Sequence, residues 1–130
     1  MRVLTIHEIS LIHDSVVTST GGSLGLREPG LLAAISEKPF ASFGGEDLYP
    51  TLFDKAAAIY EALCNYHVFV DGNKRTGITC LELFLELNGY QLNTTAKEKE
   101  VYTISLADSR PDLADVAYWI ESHSKSNLGI

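Results

Sequence analysis

The sequence is poor in two kinds of residue, and each shortage narrows what the protein can be. Cysteine occurs only twice in 130 residues, and positive charge is scarce, with ten lysines and arginines against 17 acidic residues. The resulting net charge of −7 provides no general attraction to nucleic acid or to an anionic membrane surface. We therefore expect no direct nucleic-acid partner and no membrane partner, and any anion-binding site must be local.

The two cysteines, Cys64 and Cys80, fall within helical patterns and not in a loop framework. Buried free thiols are therefore expected in place of a disulfide, which fits a reducing cytoplasm. No run of eighteen apolar residues occurs, and the N-terminus lacks an apolar stretch followed by a small-residue cleavage site. We expect a soluble, cytoplasmic protein.

The pattern of apolar residues predicts an all-α protein. At 130 residues and 45% hydrophobic, the chain is long enough for one packed domain and too short for two of ordinary size. Apolar residues recur at helical spacing in six segments. We predict a compact single-domain helical bundle over residues 1–130, with helices at about Ile6–Ser19, Pro29–Ile35, Thr51–Cys64, Asn73–Asn88, Thr95–Ala107 and Asp112–Ile120.

The third and fourth predicted helices are apolar on nearly every side. Such helices are buried, so these two should pack against each other at the centre of the bundle. In the first helix, the predicted core stripe consists of Ile6, Ile9, Ile12 and Val16. The segment Gln91–Thr94 is predicted to be a connector, and the polar tail from Ser122 is expected to be frayed.

Local signals mark where helices begin and end. Thr5 with Glu8, and Thr95 with Glu98, have the spacing of a capping box, in which a hydroxyl and a carboxylate each bond a free backbone N–H. Asn88-Gly89 supplies a stop for the fourth helix, because glycine adopts the left-handed conformation there at little cost.

The segment Phe40–Pro50 has no helical period and contains two adjacent glycines, Gly44 and Gly45, so a loop or a short hairpin is predicted. Two interpretations are open. The apolar residues of the segment could pack onto the core, which is the simpler interpretation and the one we favour, or the segment could form a flap over a site. The residues concerned are Phe43, Leu48 and Tyr49.

Chemically active residues are densest between His67 and Thr76, which enclose an imidazole, a carboxylate, a Gly-Asn turn and two cations. Gly72 can adopt a positive φ and lets a ligand approach the backbone closely. If the next helix begins near Gly72, its free N–H groups and positive dipole end form an anion-binding arrangement. Lys74 and Arg75 are unfavourable in a first helical turn unless an anion binds there, so their position indicates a phosphate site.

Asp71 and His67 supply the remaining parts of a phosphoryl-transfer site. A carboxylate beside phosphate oxygens suits Mg²⁺. A neutral imidazole can take the proton of an incoming hydroxyl group, while the metal ion, both cations and backbone amides stabilise charge on the transferred group. A base, a metal ligand and an anion cradle therefore occur in one stretch.

Each of these residues has a simpler explanation when taken alone. His67 could be a hydrogen-bonded core histidine, Asp71 with Asn73 an ordinary helix cap, and the two cations a solvated helix end. Their joint occurrence favours a functional site. A transition-metal site is disfavoured because no other histidine or cysteine stands at ligand spacing nearby. The remaining histidines are expected at the surface or on a helix face: His7, His13 and His123.

The run His67-x-Phe69-x-Asp71-Gly72-Asn73-Lys74-Arg75 resembles the motif of the Fic/Doc family, in its death-on-curing (Doc) branch. The motif is long and specific, and most of the chain fits the small all-α bundle of that family. The resemblance implies that His67 is the general base, that Asp71 is the Mg²⁺ ligand and that ATP is the nucleotide. It implies a packing role for Phe69 and phosphate contacts for Gly72, Asn73, Lys74 and Arg75.

Two positions bear on which group is transferred. Fic adenylyltransferases carry a second glycine where this chain has Lys74, and a further arginine where it has Ile78. With these departures the chain is similar to the Doc toxins, which are implied to bind ATP in the reverse sense and transfer its γ-phosphate, with Lys74 in the catalytic set. Doc itself has alanine where this chain has Gly72, whereas the adenylyltransferases have glycine there, as this chain does. Transfer of AMP or another nucleotide to a protein hydroxyl is therefore the alternative.

The resemblance also implies partners. It implies a toxin of a type II toxin–antitoxin system that phosphorylates a translation factor, with elongation factor Tu as the implied target, and so arrests translation. The inhibitory motif of many Fic proteins, Ser/Thr-x-x-x-Glu followed by Gly or Asn, does not occur, so restraint is expected from an antitoxin whose C-terminal segment orders in a groove. Gly44 and Gly45 would belong to a flap that aligns the target peptide. A catalytically silent antitoxin-binding module is the third hypothesis, and the intact motif argues against it.

Overall fold

A computed structural model describes residues 1–127 as a bundle of six α-helices with two small antiparallel strand pairs. The all-α prediction is confirmed. The helices are α1 (Ile6–Thr20), α2 (Pro29–Glu37), α3 (Leu52–Asn65), α4 (Asn73–Leu87), α5 (Ala96–Asp108) and α6 (Leu113–Ser122). The strands are β1 (Ser42–Phe43), β2 (Glu46–Asp47), β3 (Tyr90–Leu92) and β4 (Ser124–Ser126), and a 3₁₀ turn (Lys38–Phe40) follows α2.

Helices α3 and α4 pack along each other at the centre, as predicted, with α6 on the other side of α3 and α1 against α4. Small side chains make this possible, because Ala57, Ala58 and Ala62 of α3 are fully buried and let neighbouring helices approach closely. Both cysteines are free and buried in this core, which confirms the predicted thiols. No helix in residues 1–127 is long and apolar enough to cross a membrane.

Two helix starts are closed by reciprocal capping boxes. Thr5 and Glu8 form the predicted one at α1, and Thr51 and Asp54 form another at α3. At α5 only half of the predicted box is present. The hydroxyl of Thr95 accepts from the N–H of Glu98, but the Glu98 carboxylate accepts from the hydroxyls of Thr94 and Thr95, so it is not available to the cap backbone.

Two sequence predictions near the C-terminus are wrong for the described residues. The connector after α4 is the strand β3, and the tail after α6 is the strand β4, which pairs with it antiparallel. The pairing satisfies backbone groups that a frayed tail would leave to water, and Leu92 is buried beneath it. The part of the predicted frayed tail at 128–130 lies outside the described residues.

The segment 40–50 forms a hairpin that stands away from the core, so the favoured interpretation of core packing is wrong for two of the three residues that it concerned. Phe43 is 82% exposed and Leu48 54% exposed, because β1 and β2 pair only with each other. Gly44 and Gly45 form the turn with φ of 61° and 82°, the conformation that a tight two-residue hairpin requires. The short-hairpin alternative is confirmed.

Candidate active site

The motif loop connects the end of α3 to the start of α4. His67 follows the last turn of α3, is exposed, and has a φ of 53°. Such a left-handed conformation costs on the order of 1 kcal/mol for a residue with a side chain. The next residue, Val68, is completely buried, so the chain turns sharply from the surface into the core and leaves the imidazole facing outward.

Backbone hydrogen bonds tie this loop to the segment between α1 and α2. The carbonyl of Val68 accepts from the N–H groups of Arg27 and Glu28, each at 2.9 Å, and the N–H of Val70 donates to Gly25 at 3.0 Å. An antiparallel bridge joins Leu26 to Phe69. The loop is therefore part of a small two-stranded arrangement and is fixed on the core, which is what a precise site needs.

The carboxamide of Asn73 holds the loop from the other side. Its Oδ1 accepts from the N–H of Phe69 at 2.9 Å, and its Nδ2 donates to the Phe69 carbonyl at 3.0 Å. Both polar ends of the side chain are thus used within the loop. What Asn73 offers a phosphate in this arrangement is its backbone N–H at the first position of α4.

The Asp71 carboxylate is exposed but oriented. Oδ2 accepts from the N–H of Ser23 at 3.1 Å, and Oδ1 accepts from the N–H of Gly72 at 2.9 Å. These two hydrogen bonds hold the pKa of Asp71 below its ordinary value, and the bond from Ser23 has the larger effect. The charge of Arg75 acts in the same direction. The group is therefore ionised at neutral pH, and each oxygen retains a lone pair for a hard cation such as Mg²⁺.

Gly72 is the N-cap of α4 and has φ 75° and ψ 18°, in the left-handed region that glycine adopts freely. A Cβ at this position would lie 2.9 Å from the Val17 side chain, so the close packing of α1 also favours glycine. No side chain in residues 1–127 caps α4. The first N–H groups and the positive dipole end of the helix are therefore free for an anion, as the sequence predicted.

Lys74 and Arg75 lie in the first turn of α4, and neither forms a salt bridge within the described chain. The Arg75 guanidinium instead donates to the hydroxyl of Thr20 and, at 3.4 Å, to the carbonyl of Gly21. Both acceptors are at the C-terminal end of α1, where the helix dipole favours a cation. Two positive charges without carboxylate partners beside a free helix N-terminus make this surface complementary to phosphate.

A cavity of about 710 Å³ opens between the motif and α5. This volume lies within the range of roughly 300–1,000 Å³ that small-molecule sites occupy. His67 and the residues from Asp71 to Arg75 all line it, and so does Ile78, whereas Gly44 and Gly45 stand in the hairpin and do not. No group of three potential metal-ligating side chains occurs in residues 1–127. A Mg²⁺ ion held by one carboxylate and by substrate phosphates needs no such group.

Three contributors to the site were not identified from the sequence: His13, Thr20 and Ser23. His13 is buried, with Nε2 2.7 Å from the carbonyl of Asp71. Of the two positions expected for it, the surface is wrong, and it lies on the buried face of α1. The reason is that the core stripe of α1 runs through Ile9, His13 and Val17, while Ile6 is 43% exposed. The i, i+4 spacing of these three residues was the signal that could have revealed it.

Comparisons with known proteins find similar sequences. A sequence model described as the Fic/DOC family matches residues 3–85. The chain is 49% identical over 72 residues to a protein named Toxin Doc from Mycolicibacterium smegmatis, and this match covers 55% of either chain, so it spans about half the length of that relative. It is 30% identical over 117 residues to a protein named Protein kinase doc from Escherichia phage P1, and this match covers 90% of the chain and 91% of the relative.

Proposed function

Because the chain belongs to the Fic/Doc family, we propose that it is the toxin of a type II toxin–antitoxin system and transfers the γ-phosphate of ATP to a hydroxyl group of a translation factor. The expected target is elongation factor Tu, and the expected result is arrest of translation in the cytoplasm. The observation that carries the proposal is the position of Lys74, in the first turn of an α4 N-terminus that no described side chain caps. The name of the phage relative, a protein kinase, supports the same chemistry.

His67 is the general base in this proposal. Its imidazole is exposed, lines the cavity and stands on a loop fixed by hydrogen bonds on both sides. An unprotonated nitrogen of the imidazole takes the proton of the target hydroxyl. The hydroxyl oxygen forms a bond to the γ-phosphorus of ATP, and the bond from that phosphorus to ADP breaks. General-base assistance of this kind contributes about 10²–10⁴-fold to a rate.

The start of α4 stabilises the negative charge of the reacting phosphates. The N–H groups of Asn73, Lys74 and Arg75 point out of the helix start, and the two cationic side chains flank them. Asp71 would hold Mg²⁺, which neutralises charge on phosphate oxygens when it is bound. The fit is supported by the ionised Asp71 carboxylate, by the uncapped helix and by the size of the cavity.

Lys74 and Ile78 favour transfer of phosphate over transfer of a nucleotide. Both side chains line the cavity at successive turns of α4. An apolar side chain at 78 offers no charge to a phosphate, so the phosphate contacts are concentrated at the first turn, beside Lys74. Attachment of AMP or another nucleotide to a protein hydroxyl is the second candidate, and Gly72 is the residue that favours it.

Labelled ATP distinguishes these activities. Purified protein is incubated with elongation factor Tu, Mg²⁺ and ATP labelled either at the γ- or at the α-phosphate. Label from the γ-phosphate alone supports the kinase. Label from the α-phosphate overturns it in favour of nucleotide transfer, and no label from either supports the catalytically silent module that only binds an antitoxin.

Variants tie the activity to the site. His67→Ala is expected to lower transfer by about 10²–10⁴-fold and to abolish growth inhibition on expression. His7→Ala, an exposed histidine on α1, is the matched control and should change neither. Unaltered toxicity of a folded His67→Ala protein would remove His67 from the mechanism. Lys74→Gly combined with Ile78→Arg should lower γ-transfer more than ATP binding.

The proposed antitoxin supplies the restraint that the chain itself lacks. The net charge of −7 disfavours a direct contact with nucleic acid, so the regulator is expected to be a protein segment that orders in a groove of the toxin. The test is co-expression with the product of the neighbouring small open reading frame. Restored growth and a stable complex are expected, whereas continued growth arrest with that product present would contradict this part of the proposal.

A further inference from the structure

His13 is a buried histidine on α1 that the reaction described above does not use. Its side chain is 1% exposed, and it is 58 residues away from Asp71 in the sequence. Burial of an imidazole is unfavourable unless its polar atoms are hydrogen-bonded. Its Nε2 lies 2.7 Å from the carbonyl oxygen of Asp71, so the hydrogen bond is made to the motif and not to another part of the core.

The partner of Nε2 fixes the position of a proton. A carbonyl oxygen only accepts, so Nε2 carries the hydrogen and donates it. The other ring nitrogen, Nδ1, lies 3.3 Å from Oδ1 of Asp14, whose side chain is 63% exposed. The longer contact with a solvated carboxylate constrains the ring less than the short buried one, so Asp71 sets the orientation of the imidazole.

The same ring contacts the motif at a second point. It stacks on Phe69 with ring centroids 3.8 Å apart and planes 7° from parallel. Gly72 lies next to it, since a Cβ at that position would be 3.8 Å from Nε2. His13 therefore touches the loop on both sides of Val70 and holds the peptide group that joins Asp71 to Gly72.

We propose that His13 is a positioning residue for the transfer reaction: through the Asp71 carbonyl it fixes the peptide group from which the Asp71 carboxylate and the start of α4 both extend. This inference rests on the proposed function. A displacement of about 1 Å in a site can lower a rate by about 10²-fold. Loss of the Nε2 donor should therefore lower turnover in a protein that still folds.

Three substitutions separate a hydrogen bond from simple filling of space. His13→Gln places an amide N–H near the position of Nε2 and keeps the donor. His13→Asn has the same chemistry, but its amide reaches only to the position of Nδ1, so it cannot bond the Asp71 carbonyl. His13→Phe keeps a ring to stack on Phe69 and has no donor. Far-ultraviolet circular dichroism and the urea midpoint establish which variants fold.

Two readouts follow. The first is steady-state γ-phosphate transfer, in which His13→Asn and His13→Phe should lower kcat by about 10–100-fold, the usual effect of losing a residue that orients a metal ligand, while KM for the target protein is unchanged. The second is the backbone ¹⁵N resonance of Gly72, which shares its peptide group with the Asp71 carbonyl. It should shift in the Asn and Phe variants, and His13→Gln should recover both values.

The outcomes are distinct. Equal turnover and an equal Gly72 resonance in His13→Asn and wild type would overturn the positioning role, as would a folded His13→Gln that is as impaired as His13→Asn. If the wild type transfers no phosphate, the proposed function fails, and the Gly72 resonance alone decides the role of His13. Recovery by glutamine and not by asparagine then supports the role, and no difference between them overturns it.

Discussion

Gly77 of α4 packs directly against Cys64 of α3. A Cβ added at Gly77 would fall inside contact distance of the Cys64 Sγ and would lie 3.4 Å from the Cys64 backbone nitrogen. Because Gly77 has no side chain, the two central helices can approach each other here, two residues after the end of the motif at Arg75. The position of the first turn of α4, and so of Lys74 and Arg75, depends on this contact.

Gly77→Ala should destabilise the protein. The added methyl overpacks the helix contact at a cost of about 1–3 kcal/mol, of which the better helix propensity of alanine returns up to about 1 kcal/mol. Urea unfolding measures the difference. Gly30→Ala in α2, where a Cβ meets nothing within 4 Å, is the matched control and should be neutral or stabilising.

The double variant Cys64→Ala with Gly77→Ala tests the cause. Removing Sγ makes room for the new methyl, so the double variant should be more stable than the sum of the two single changes predicts. Additive effects would show that the destabilisation of Gly77→Ala comes from another contact.

A second prediction concerns the hydrogen bond between Tyr60 and Thr103, whose oxygens are 2.6 Å apart in the core. Burial raises the pKa of Tyr60 far above its ordinary value, so the hydroxyl keeps its proton. Tyr60→Phe leaves the Thr103 hydroxyl without this partner and should cost about 1–3 kcal/mol. Tyr60→Phe with Thr103→Val removes both polar groups and should recover most of that loss in urea unfolding. A double variant as unstable as the sum of the single variants would contradict this explanation.

The helices could be predicted because their signals are local. The apolar period of α3 and α4 and the capping residues Thr5 and Glu8 act within a few positions of the chain. The pairing of β3 with β4 could not be predicted, because each strand has only three residues and the register joins Tyr90 to Ser126 across the whole of α5 and α6. Strands this short carry little sequence pattern of their own.

The site was predictable in part for the same reason. The residues from His67 to Arg75 are contiguous, and the structure brings them to one cavity. Ser23 could not be predicted, because it contributes a backbone N–H to Asp71, and any residue carries that group. Arg75 was expected to face a phosphate, and its contact with Thr20 depends on where α1 ends relative to α4.

A third prediction concerns the hairpin formed by β1 and β2. Lys55 of α3 is 9% exposed, and its Nζ donates to the carbonyl of Pro39 at 2.8 Å and to that of Tyr49 at 2.5 Å, which lie on either side of the hairpin. Lys55→Met keeps the aliphatic stem and removes the donors. Hydrogen exchange of the Leu48 amide, which bonds the Ala41 carbonyl within the hairpin, should become faster.

The control for this change is Lys97→Met, which removes an exposed lysine on α5 and should leave exchange of the hairpin unaltered. Lys55→Met should also lower the urea midpoint, because two carbonyls near the core lose their hydrogen-bond donor. The cost in unfolding free energy is up to about 3 kcal/mol for each carbonyl. Unchanged exchange at Leu48 would show that the hairpin is held by its own strand pairing alone.

The last prediction concerns acid. The hydrogen bonds from the N–H groups of Ser23 and Gly72 lower the pKa of Asp71 in the folded protein. A lowered folded-state pKa contributes stability that is fully present above the unfolded value of about 3.9 and is lost as the pH falls through the folded value. The urea midpoint of the wild type should therefore exceed that of Asp71→Asn by a constant amount at about pH 5–6, which lies above the pKa of about 3.9 of the unfolded group. That difference should shrink as the pH falls below about 4, because protonation removes the same charge that the substitution removes.

Asp108→Asn, which removes an exposed carboxylate far along the chain, controls for net charge. The urea midpoints of the wild type and Asp71→Asn could instead differ by the same amount down to the lowest pH measured. The charge of Asp71 would then not contribute to holding the segment at Ser23 against the motif.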